Sequence, residues 1–221
     1  MNDIKTAQLY DLSHTMAKEL LSRCEYPWEA LPDISETILA LISELSSEDY
    51  YSPAPEVWVA RSASVAPSAT IIGPAIIGPD SEVRVGAFIR GSVLVGRGCV
   101  VGNSCELKNC ILFDEVQVPH FNYVGDSILG YRAHMGAGAV TSNVKSDKSA
   151  VCIHTPEGDI AVAAKKVGAM LGDLAEIGCN CVLNPGTVIG KNSSVYPLSS
   201  VRGVVPSNSI YKAADSIVKK K

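Results

Sequence analysis

Apolar residues recur at every sixth position along most of this chain of 221 residues. The series runs without a miss from Val59 to Phe113 and returns from Leu171 to Val201. A helix with 3.6 residues per turn cannot keep one face on a six-residue step, and a flat strand keeps it only over one short element. Sixteen such units therefore predict a repeat architecture. The aliphatic positions are Val59, Val65, Ile71, Ile77, Val83, Ile89, Val95, Val101, Leu107, Phe113, Leu171, Ile177, Leu183, Ile189, Val195 and Val201.

A small residue stands four positions after most of these aliphatic residues, as at Ala63, Ala69, Ala75, Ala175 and Cys181. Hexapeptides in which an aliphatic and a small residue both point inward form a parallel β-helix. Three short strands and three turns then make one triangular coil of about eighteen residues. Each coil covers the apolar edge of its neighbour, so no coil is stable alone. The predicted fold class is all-β, a parallel β-helix of hexapeptide repeats with an α-helical extension before it.

The pattern divides the chain into three parts. Amphipathic helical segments over 4–22 and 34–46 are predicted to cap the open end of the solenoid, and a contact with a ligand or another subunit is the alternative. The non-repeating stretch within the solenoid is predicted to project as a loop or hairpin, and a short helix is one option for the tail. The parts are 1–55, the helical cap or extension; 56–206, the β-helix with its projecting loop at 142–166; and 207–221, the C-terminal tail.

Composition removes several classes of function. The net charge is −4 without a concentrated basic face, so nucleic acid is not an expected partner. No apolar run approaches the ~20 residues that a membrane span requires. The first twenty residues are interrupted by charged side chains and lack the apolar core of a signal peptide. These features predict a cytoplasmic protein that does not bind membranes.

The seven cysteines are predicted to be reduced. Cys99, Cys105 and Cys181 occupy the small inward position of the repeat and are expected to act as small core residues in a reducing compartment. Cys179 and Cys181 form a C-x-C pair, but no second pair follows at zinc-finger spacing. No metal site is therefore expected.

Function is expected where the repeat breaks, because the interior of a solenoid has no room for chemistry. Pro119 occupies an expected aliphatic position, and His120 follows it at the disrupted corner. A surface imidazole there suits the role of general base toward an amine or hydroxyl nucleophile.

Two cations are predicted to stack at one corner of the prism. Arg90 and Lys108 each follow an inward aliphatic residue and are eighteen residues apart, one full coil. Their strands should therefore lie roughly 5 Å apart. Like charges so placed repel each other unless something anionic lies between them. A solvated pair splayed into water and a phosphate clamp are both compatible with this spacing.

Three segments carry a resemblance to a known family. They are Gly86-Ala87-Phe88-Ile89-Arg90, His120-Phe121-Asn122-Tyr123-Val124-Gly125-Asp126, and the stretch from Met135 to Asn143. Together they resemble the acetyltransferase domain of the bacterial bifunctional glucosamine-1-phosphate acetyltransferase and N-acetylglucosamine-1-phosphate uridylyltransferase, a hexapeptide-repeat acyltransferase. The resemblance implies a left-handed β-helix, acetyl-CoA as co-substrate, and a homotrimer with its sites at subunit boundaries.

The resemblance also implies roles for individual residues. His120 falls on the catalytic base, which agrees with its position at the break. The substrate-binding positions are Arg90 and Lys108 on the sugar phosphate, Tyr123 on the sugar, and His134 where the family has an asparagine against the amino sugar. The acetyl-CoA-binding positions are Ala137, Asn143, Cys179 in place of a serine near the thioester, and Lys212, after a small shift of the alignment, on the coenzyme phosphate.

The chain also departs from this family. Val144 replaces a tyrosine, and the loop between Thr141 and Gly178 is longer by about one coil, which looks more like archaeal-type sugar-nucleotide enzymes with a fused β-helix. The glycine-rich nucleotide loop of the uridylyltransferase half has no counterpart in residues 1–58. We therefore expect no nucleotidyl transfer by this chain alone, and a separate nucleotidylyltransferase is a possible partner.

Three functions are compatible with these observations. The first is an acyl-CoA-dependent N-acetyltransferase that acts on an amino sugar phosphate such as glucosamine-1-phosphate. The second is a non-catalytic module for sugar-nucleotide binding or assembly, suggested by His134 and Val144. The third is a metal-dependent β-helix enzyme like carbonic anhydrase, which would need His120, His134 and His154 to converge, although their spacings do not match the stacking of coils.

Overall fold

A computed structural model describes residues 4–220. The part of the chain before the β-helix contains helices α1 (Thr6–Leu9), α2 (Lys18–Ser22) and α3 (Ile34–Glu44), with 3₁₀ helices at Leu12–His14 and Pro27–Asp33. Within residues 4–220, no helix is both long and apolar enough to cross a membrane. The strands are β1 (Tyr50–Ala54), β2 (Val57–Ala60), β3 (Ser64–Val65), β4 (Thr70–Ile72), β5 (Ala75–Ile77), β6 (Glu82–Val83), β7 (Phe88–Arg90), β8 (Val93–Val95), β9 (Val100–Asn103), β10 (Glu106–Leu112), β11 (Gln117–His120), β12 (Tyr123–Leu129), β13 (His134–Met135), β14 (Val140–Thr141), β15 (Cys152–Thr155), β16 (Gly158–Ala161), β17 (Ala169–Leu171), β18 (Glu176–Ile177), β19 (Val182–Leu183), β20 (Thr187–Ile189), β21 (Ser194–Val195), β22 (Ser200–Val201), β23 (Val204–Val205), β24 (Ser209–Ala213) and β25 (Ser216–Lys219).

The strands wind into a left-handed parallel β-helix, as the repeat and the resemblance predict. Strands in successive coils pair in parallel, so that Ile77 lies beside Val95 and Leu183 beside Val201. The first face of the prism contains β3, β6, β9, β11, β13, β18, β21 and β24. The second face contains β4, β7, β14, β19, β22 and the first halves of β10 and β12, and the third face contains β2, β5, β8, β17, β20, β23 and the second halves of β10 and β12.

The six-residue count fails one step earlier than the sequence predicts. Leu112, not Phe113, pairs with Val95 on the preceding coil, while Leu107 pairs with Ile89. The corner between these two positions is one residue shorter because Asn109 turns it with a φ of 48°. Phe113 is still fully buried, but its ring lies 5.0 Å from that of Tyr10.

The N-terminal extension lies along the third face, so the prediction that it caps the open end of the solenoid is wrong. The reason is a column of apolar residues that point outward from consecutive strands of this face and are nonetheless 0–1% exposed. The buried residues of the extension belong to the same apolar cluster. The column consists of Ile76, Leu94, Ile111, Ile128 and Met170. Burying it against helices removes a large apolar surface from water.

The inserted segment forms a hairpin that covers the end of the same face. Strands β15 and β16 pair antiparallel, and Val151 and Ile153 are completely buried. An added Cβ at Gly186 would lie 2.8 Å from the carbonyl oxygen of Cys152, which shows how closely the hairpin packs on the coil.

Residues 207–220 continue the solenoid, which corrects the prediction of a tail or short helix over 207–221, and residue 221 lies outside the described residues. Strand β24 pairs in parallel with β21, so that Tyr211 lies beside Val195, and β25 returns antiparallel to β24. The step from Val195 to Tyr211 is sixteen residues instead of eighteen, which is why the six-residue count misses this coil. At the other end, β1 pairs antiparallel with β2, so antiparallel strands flank both ends of the helix.

Candidate active site

His120 stands at an exposed corner between the first and second faces. Asn122, 3% exposed, holds this corner. Its Oδ1 accepts a hydrogen bond from the backbone N–H of His120 at 3.0 Å, and its Nδ2 donates to the carbonyl oxygens of Gly136 and Ala139 at 2.8 and 3.0 Å. Phe121 turns the chain with a φ of 53°. The backbone under His120 is therefore fixed to the next coil, while its side chain faces solvent.

Three predicted site residues follow one another along this corner, which we call the open corner and define as His120, Ala137 and Cys179. Gly138 N–H donates to the carbonyl oxygen of His120 at 3.0 Å, and Asn180 N–H donates to that of Ala137 at 2.8 Å. The open corner therefore runs over three consecutive coils, and the side chain of Cys179 is exposed on it.

Lys212 lies farther along the same direction. It follows Tyr211 in β24, and its Nζ lies 5.9 Å from the ring centroid of Tyr196. Four coil steps of about 4.8 Å separate the coil of His120 from that of Lys212, a span of about 19 Å. An elongated ligand laid along the open corner would meet His120, Ala137, Cys179 and Lys212 in that order.

The two predicted phosphate ligands lie on neighbouring strands but are already paired. Arg90 donates to Glu106 Oε1 at 2.6 Å, and Lys108 Nζ lies 3.0 and 3.2 Å from the two carboxylate oxygens of Asp126. These four side chains have no net charge, so the expected repulsion is relieved by the protein itself. Arg90 and Lys108 therefore form neither a pair of side chains splayed into water nor a cationic clamp without carboxylate partners.

A buried carboxylate joins the predicted sugar-binding residues to Asn143. The side chain of Asp126 is 5% exposed and accepts hydrogen bonds from Lys108, Asn109 and Asn143. Asn143 Nδ2 also donates to the Tyr123 hydroxyl at 3.1 Å. We call Lys108, Asn109, Tyr123, Asp126 and Asn143 the Asp126 cluster. Burial, followed by the nearby Asp126 charge, raises the pKa of Tyr123.

Sequence reasoning missed the central members of this cluster. Asp126 ends the His-x-x-Tyr-x-Gly-Asp motif without a predicted role, and no prediction falls on Asn109. The signal in the sequence is the spacing: five residues instead of six separate the inward positions on either side of this corner in both coils. In the structure, Asn109 and Asp126 each turn the corner with a φ of 48°. The long insertion leaves from the same corner one coil later. Asn143, which the resemblance links to acetyl-CoA, thus lies with the predicted sugar-binding residues and away from Ala137 and Cys179.

The open corner and the Asp126 cluster stand at opposite ends of the second face. His120 and Asp126 are six residues apart, which corresponds to at most about 20 Å of extended chain. Twelve residues separate His120 from Lys108, which by the six-residue count predicts two faces. The structure corrects this to one face, because Lys108 pairs back to Asp126 on the coil that carries His120.

His134 belongs to neither group. It lies on the first face in β13, beside Gln117 of the preceding coil, and its Nδ1 is 2.9 Å from Glu176 Oε2. His154 lies in the hairpin, where it contacts Asp159 and Arg202. Across residues 4–220 there is no group of histidine, cysteine or acidic side chains with the geometry of a metal site.

Comparison with known proteins finds relatives of this chain. The model of the GMPPB C-terminal domain matches residues 71–169. The chain is 31% identical over 199 residues to a bifunctional protein GlmU of Methanococcus maripaludis (strain S2), covering 89% of this chain and 48% of that relative. It is 30% identical over 151 residues to the putative uncharacterized acetyltransferase YaiX of Escherichia coli K12, covering 68% of this chain and 66% of YaiX.

The chain is a relative of the hexapeptide-repeat acyltransferases. The resemblance predicted from its motifs is thereby confirmed. A solved putative acetyltransferase of Bacillus cereus also aligns with it, with 20% identity and a TM-score of 0.41 over 73% of this chain and 76% of that one. The chain described here spans about half the length of the GlmU protein that it matches.

Proposed function

We propose that the chain is an acetyltransferase that moves the acetyl group of acetyl-CoA to the amine of an amino sugar phosphate such as glucosamine-1-phosphate. The observation that carries the proposal is the open corner, where a displayed histidine is followed along one line by the predicted coenzyme positions Ala137, Cys179 and Lys212. The relative YaiX is named as a putative acetyltransferase, which supports the same class of reaction.

In the proposed reaction, His120 takes a proton from the acceptor amine as its nitrogen attacks the thioester carbonyl. The new C–N bond forms, the tetrahedral intermediate collapses, and the C–S bond breaks. The proton held by His120 then passes to the coenzyme sulfur, which leaves as a thiol. A backbone N–H at Ala137 or Cys179 would stabilise the developing oxyanion.

The acceptor phosphate would be met first by Arg90. Its pair with Glu106 is exposed, so exchanging that carboxylate for a phosphate costs little, whereas Lys108 is held by the buried Asp126. Arg90 can also grip phosphate with two N–H donors. Lys108, Tyr123 and Asn143 would then contact the sugar side of the acceptor.

A homotrimer would bring the remaining predicted residue to the site. His134 lies on the first face, away from both the open corner and the Asp126 cluster. Packing of prisms side by side would place the first face of one copy against the open corner of another. Phe121 and Leu198, 62% and 78% exposed at this corner, offer apolar area for such packing.

The direct test is thiol release from acetyl-CoA with glucosamine-1-phosphate as acceptor. His120→Asn should lower turnover by at least about 100-fold, as loss of a general base does. His14→Asn is the matched control, because His14 stacks on Tyr131 at a different corner, and it should leave turnover unchanged. Equal turnover in wild type and His120→Asn would remove His120 as the base.

A binding or assembly module without catalysis is the second candidate. It is favoured by one observation, namely that both predicted phosphate ligands are neutralised by Glu106 and Asp126. Calorimetry with acetyl-CoA separates the two functions. An acetyltransferase binds the coenzyme even when the acceptor is wrong, whereas a scaffold that has lost the activity does not.

A further inference from the structure

A pocket of about 480 Å³ lies in the seam between the N-terminal extension and the end of the hairpin. One wall contains Trp28, Leu31 and Pro32, the other is the segment 161–164, and Asn109 contributes to the lining between them. This volume is within the usual range of small-molecule sites. Both walls come from segments added to the regular coils, so the hexapeptide pattern alone does not predict the pocket. We call it the seam pocket.

The seam pocket is directly connected to the Asp126 cluster. Asn109 Nδ2 lies 2.9 Å from Asp126 Oδ1 and 3.3 Å from the carbonyl oxygen of Leu31, so one side chain bridges the cluster and the extension. On the other wall, Lys166 lines the pocket, and the next residue, Val167, donates its N–H to the carbonyl oxygen of Asn143 at 3.0 Å. A ligand held by the Asp126 cluster can therefore extend into the seam.

The lining indicates what kind of group would fit. Two largely apolar walls face each other, and a carboxylate, an ammonium group and an amide stand among them, from Glu29, Lys166 and Asn109. Asn109 and Glu29 already have hydrogen-bond partners in the protein. A purely aliphatic chain would still remove water from them and from Lys166 without replacing its hydrogen bonds, which costs free energy. A heterocyclic base with its ribose offers flat apolar faces to the walls and hydrogen-bonding edges to the three polar groups.

The length of the second face points the same way. Six residues separate His120 from the corner at Asp126, which is at most about 20 Å of extended chain. A bare amino sugar phosphate whose phosphate lies at Arg90 has no further group to place in the seam pocket. A sugar carried on a nucleoside diphosphate is long enough to occupy the second face and the pocket together.

We infer that the seam pocket binds the nucleoside of an acceptor whose amino sugar is carried on a nucleoside diphosphate. This rests on the proposed function for the chemistry at His120, and it changes the acceptor from a sugar monophosphate to a nucleotide sugar. The diphosphate lies between Arg90 and Lys166, near Lys108. The sugar extends along the second face toward the open corner.

Calorimetry with uridine, guanosine and thymidine diphosphates as probes tests the pocket without requiring any reaction. At least one probe should bind wild-type protein at least 10-fold more tightly than glucosamine-1-phosphate does. Ala163→Trp, which fills the pocket, should weaken that probe at least 10-fold and leave acetyl-CoA affinity unchanged. Ala40→Trp places the same side chain on the exposed surface of α3 and should change neither affinity, and thermal unfolding of both variants checks that they fold.

The outcomes separate this inference from the proposed function. Binding that Ala163→Trp abolishes supports the pocket even if no acetyl transfer is found, in which case only the proposed function fails. Acetyl transfer to glucosamine-1-phosphate that Ala163→Trp leaves intact, with no binding of any nucleoside diphosphate, overturns the pocket and keeps the enzyme. Nucleoside diphosphate binding of equal strength in wild type and Ala163→Trp also overturns it, as does preferential binding of a prenyl phosphate probe.

Discussion

The covered third face and the open corner of the same prism are built from one repeat and behave in opposite ways. On the third face the outward positions are apolar, and the column from Ile76 to Met170 is almost completely buried under the extension. At the open corner the outward residues Phe121 and Leu198 are among the most exposed apolar side chains of residues 4–220. The inward residues, which specify the coil, are alike in both regions. The outward residues therefore decide which part of the solenoid is scaffold and which part is available to a ligand or a partner.

The largest difference in stability is expected for a change in the Asp126 cluster, at the end of the second face next to the extension. Asp126→Ala removes the carboxylate that pairs with Lys108 and accepts from Asn109 and Asn143. The partly buried ammonium of Lys108 then loses its partner, and the two amides each lose one of two. The free energy of unfolding should fall by about 3 kcal/mol, the lower end of the range for breaking a buried pair, because Lys108 is 27% exposed.

Glu106→Ala is the matched control for that change. It breaks the exposed pair with Arg90, whose loss should cost less than about 1 kcal/mol. Urea unfolding at pH 7 measures both variants. Equal losses of unfolding free energy in the two variants would show that Asp126 stabilises the fold no more than a surface carboxylate does. The Asp126 end of the second face would then be no more structural than its exposed positions.

The next difference concerns two outward aliphatic side chains on different faces. Ile111, 1% exposed, points from the third face into the extension, and truncating it to alanine should cost about 2–3 kcal/mol in the free energy of unfolding. Val182 is 38% exposed on the second face, and its truncation should cost about 0.5 kcal/mol or less. Similar losses at the two positions would mean that the extension does not stay on the third face in solution.

Much of this division could be predicted from the sequence, and the part that could not depends on long-range packing. The inward aliphatic positions follow from the six-residue step alone, since an interior only one side chain wide accepts little else. The outward column is equally periodic, with Ile76 and Leu94 eighteen residues apart, but an outward apolar position does not by itself say which element covers it. The partner of that column is far away in sequence, so no local pattern links them.

The candidate site divides in the same way. His120 and the order of the open corner follow from a motif and from the stacking of coils, both of which are visible in the sequence. The pairing of Lys108 with Asp126 depends on a corner that is one residue shorter than the repeat. In the sequence the six-residue count first fails later, at Pro119, so it does not predict this shorter corner. The seam pocket needs the extension and the insertion to meet, which no spacing predicts.

A smaller effect concerns pH and the cover itself. Burial raises the pKa of Tyr10 well above its ordinary value of 10.0, with a further contribution from Asp173. The folded protein therefore keeps this proton at pH values where the unfolded chain releases it. The contribution of Tyr10 is complete below pH 10 and is lost as the pH rises above that value.

Tyr10→Phe should reduce this alkaline loss of stability. At pH 7 the variant loses only the 3.3 Å hydrogen bond from the hydroxyl to Ile128, about 1 kcal/mol. Thermal unfolding between pH 7 and 11 should show the wild type losing more stability than Tyr10→Phe over the upper part of the range. Parallel curves would show that Tyr10 is not shielded by the extension.

The smallest perturbation that separates the two regions is a label on one thiol. Cys179 is exposed at the open corner, whereas Cys99 and Cys110 are fully buried in the coils. Burial raises the pKa of Cys99 to about 12 and that of Cys110 further, so at pH 8 only roughly one Cys99 thiol in ten thousand is the reactive thiolate. Alkylation of native protein at pH 8, followed by peptide mass spectrometry, should therefore modify Cys179 long before Cys99 or Cys110, and unfolding in urea should make the rates similar.

If acetyl-CoA lies along the open corner, it should slow the labelling of Cys179 without changing that of Cys24, which lies in the extension. Labelling of Cys99 as fast as that of Cys179 would mean that the coils open on the timescale of the reaction, and the contrast between a closed scaffold and an open corner would not hold.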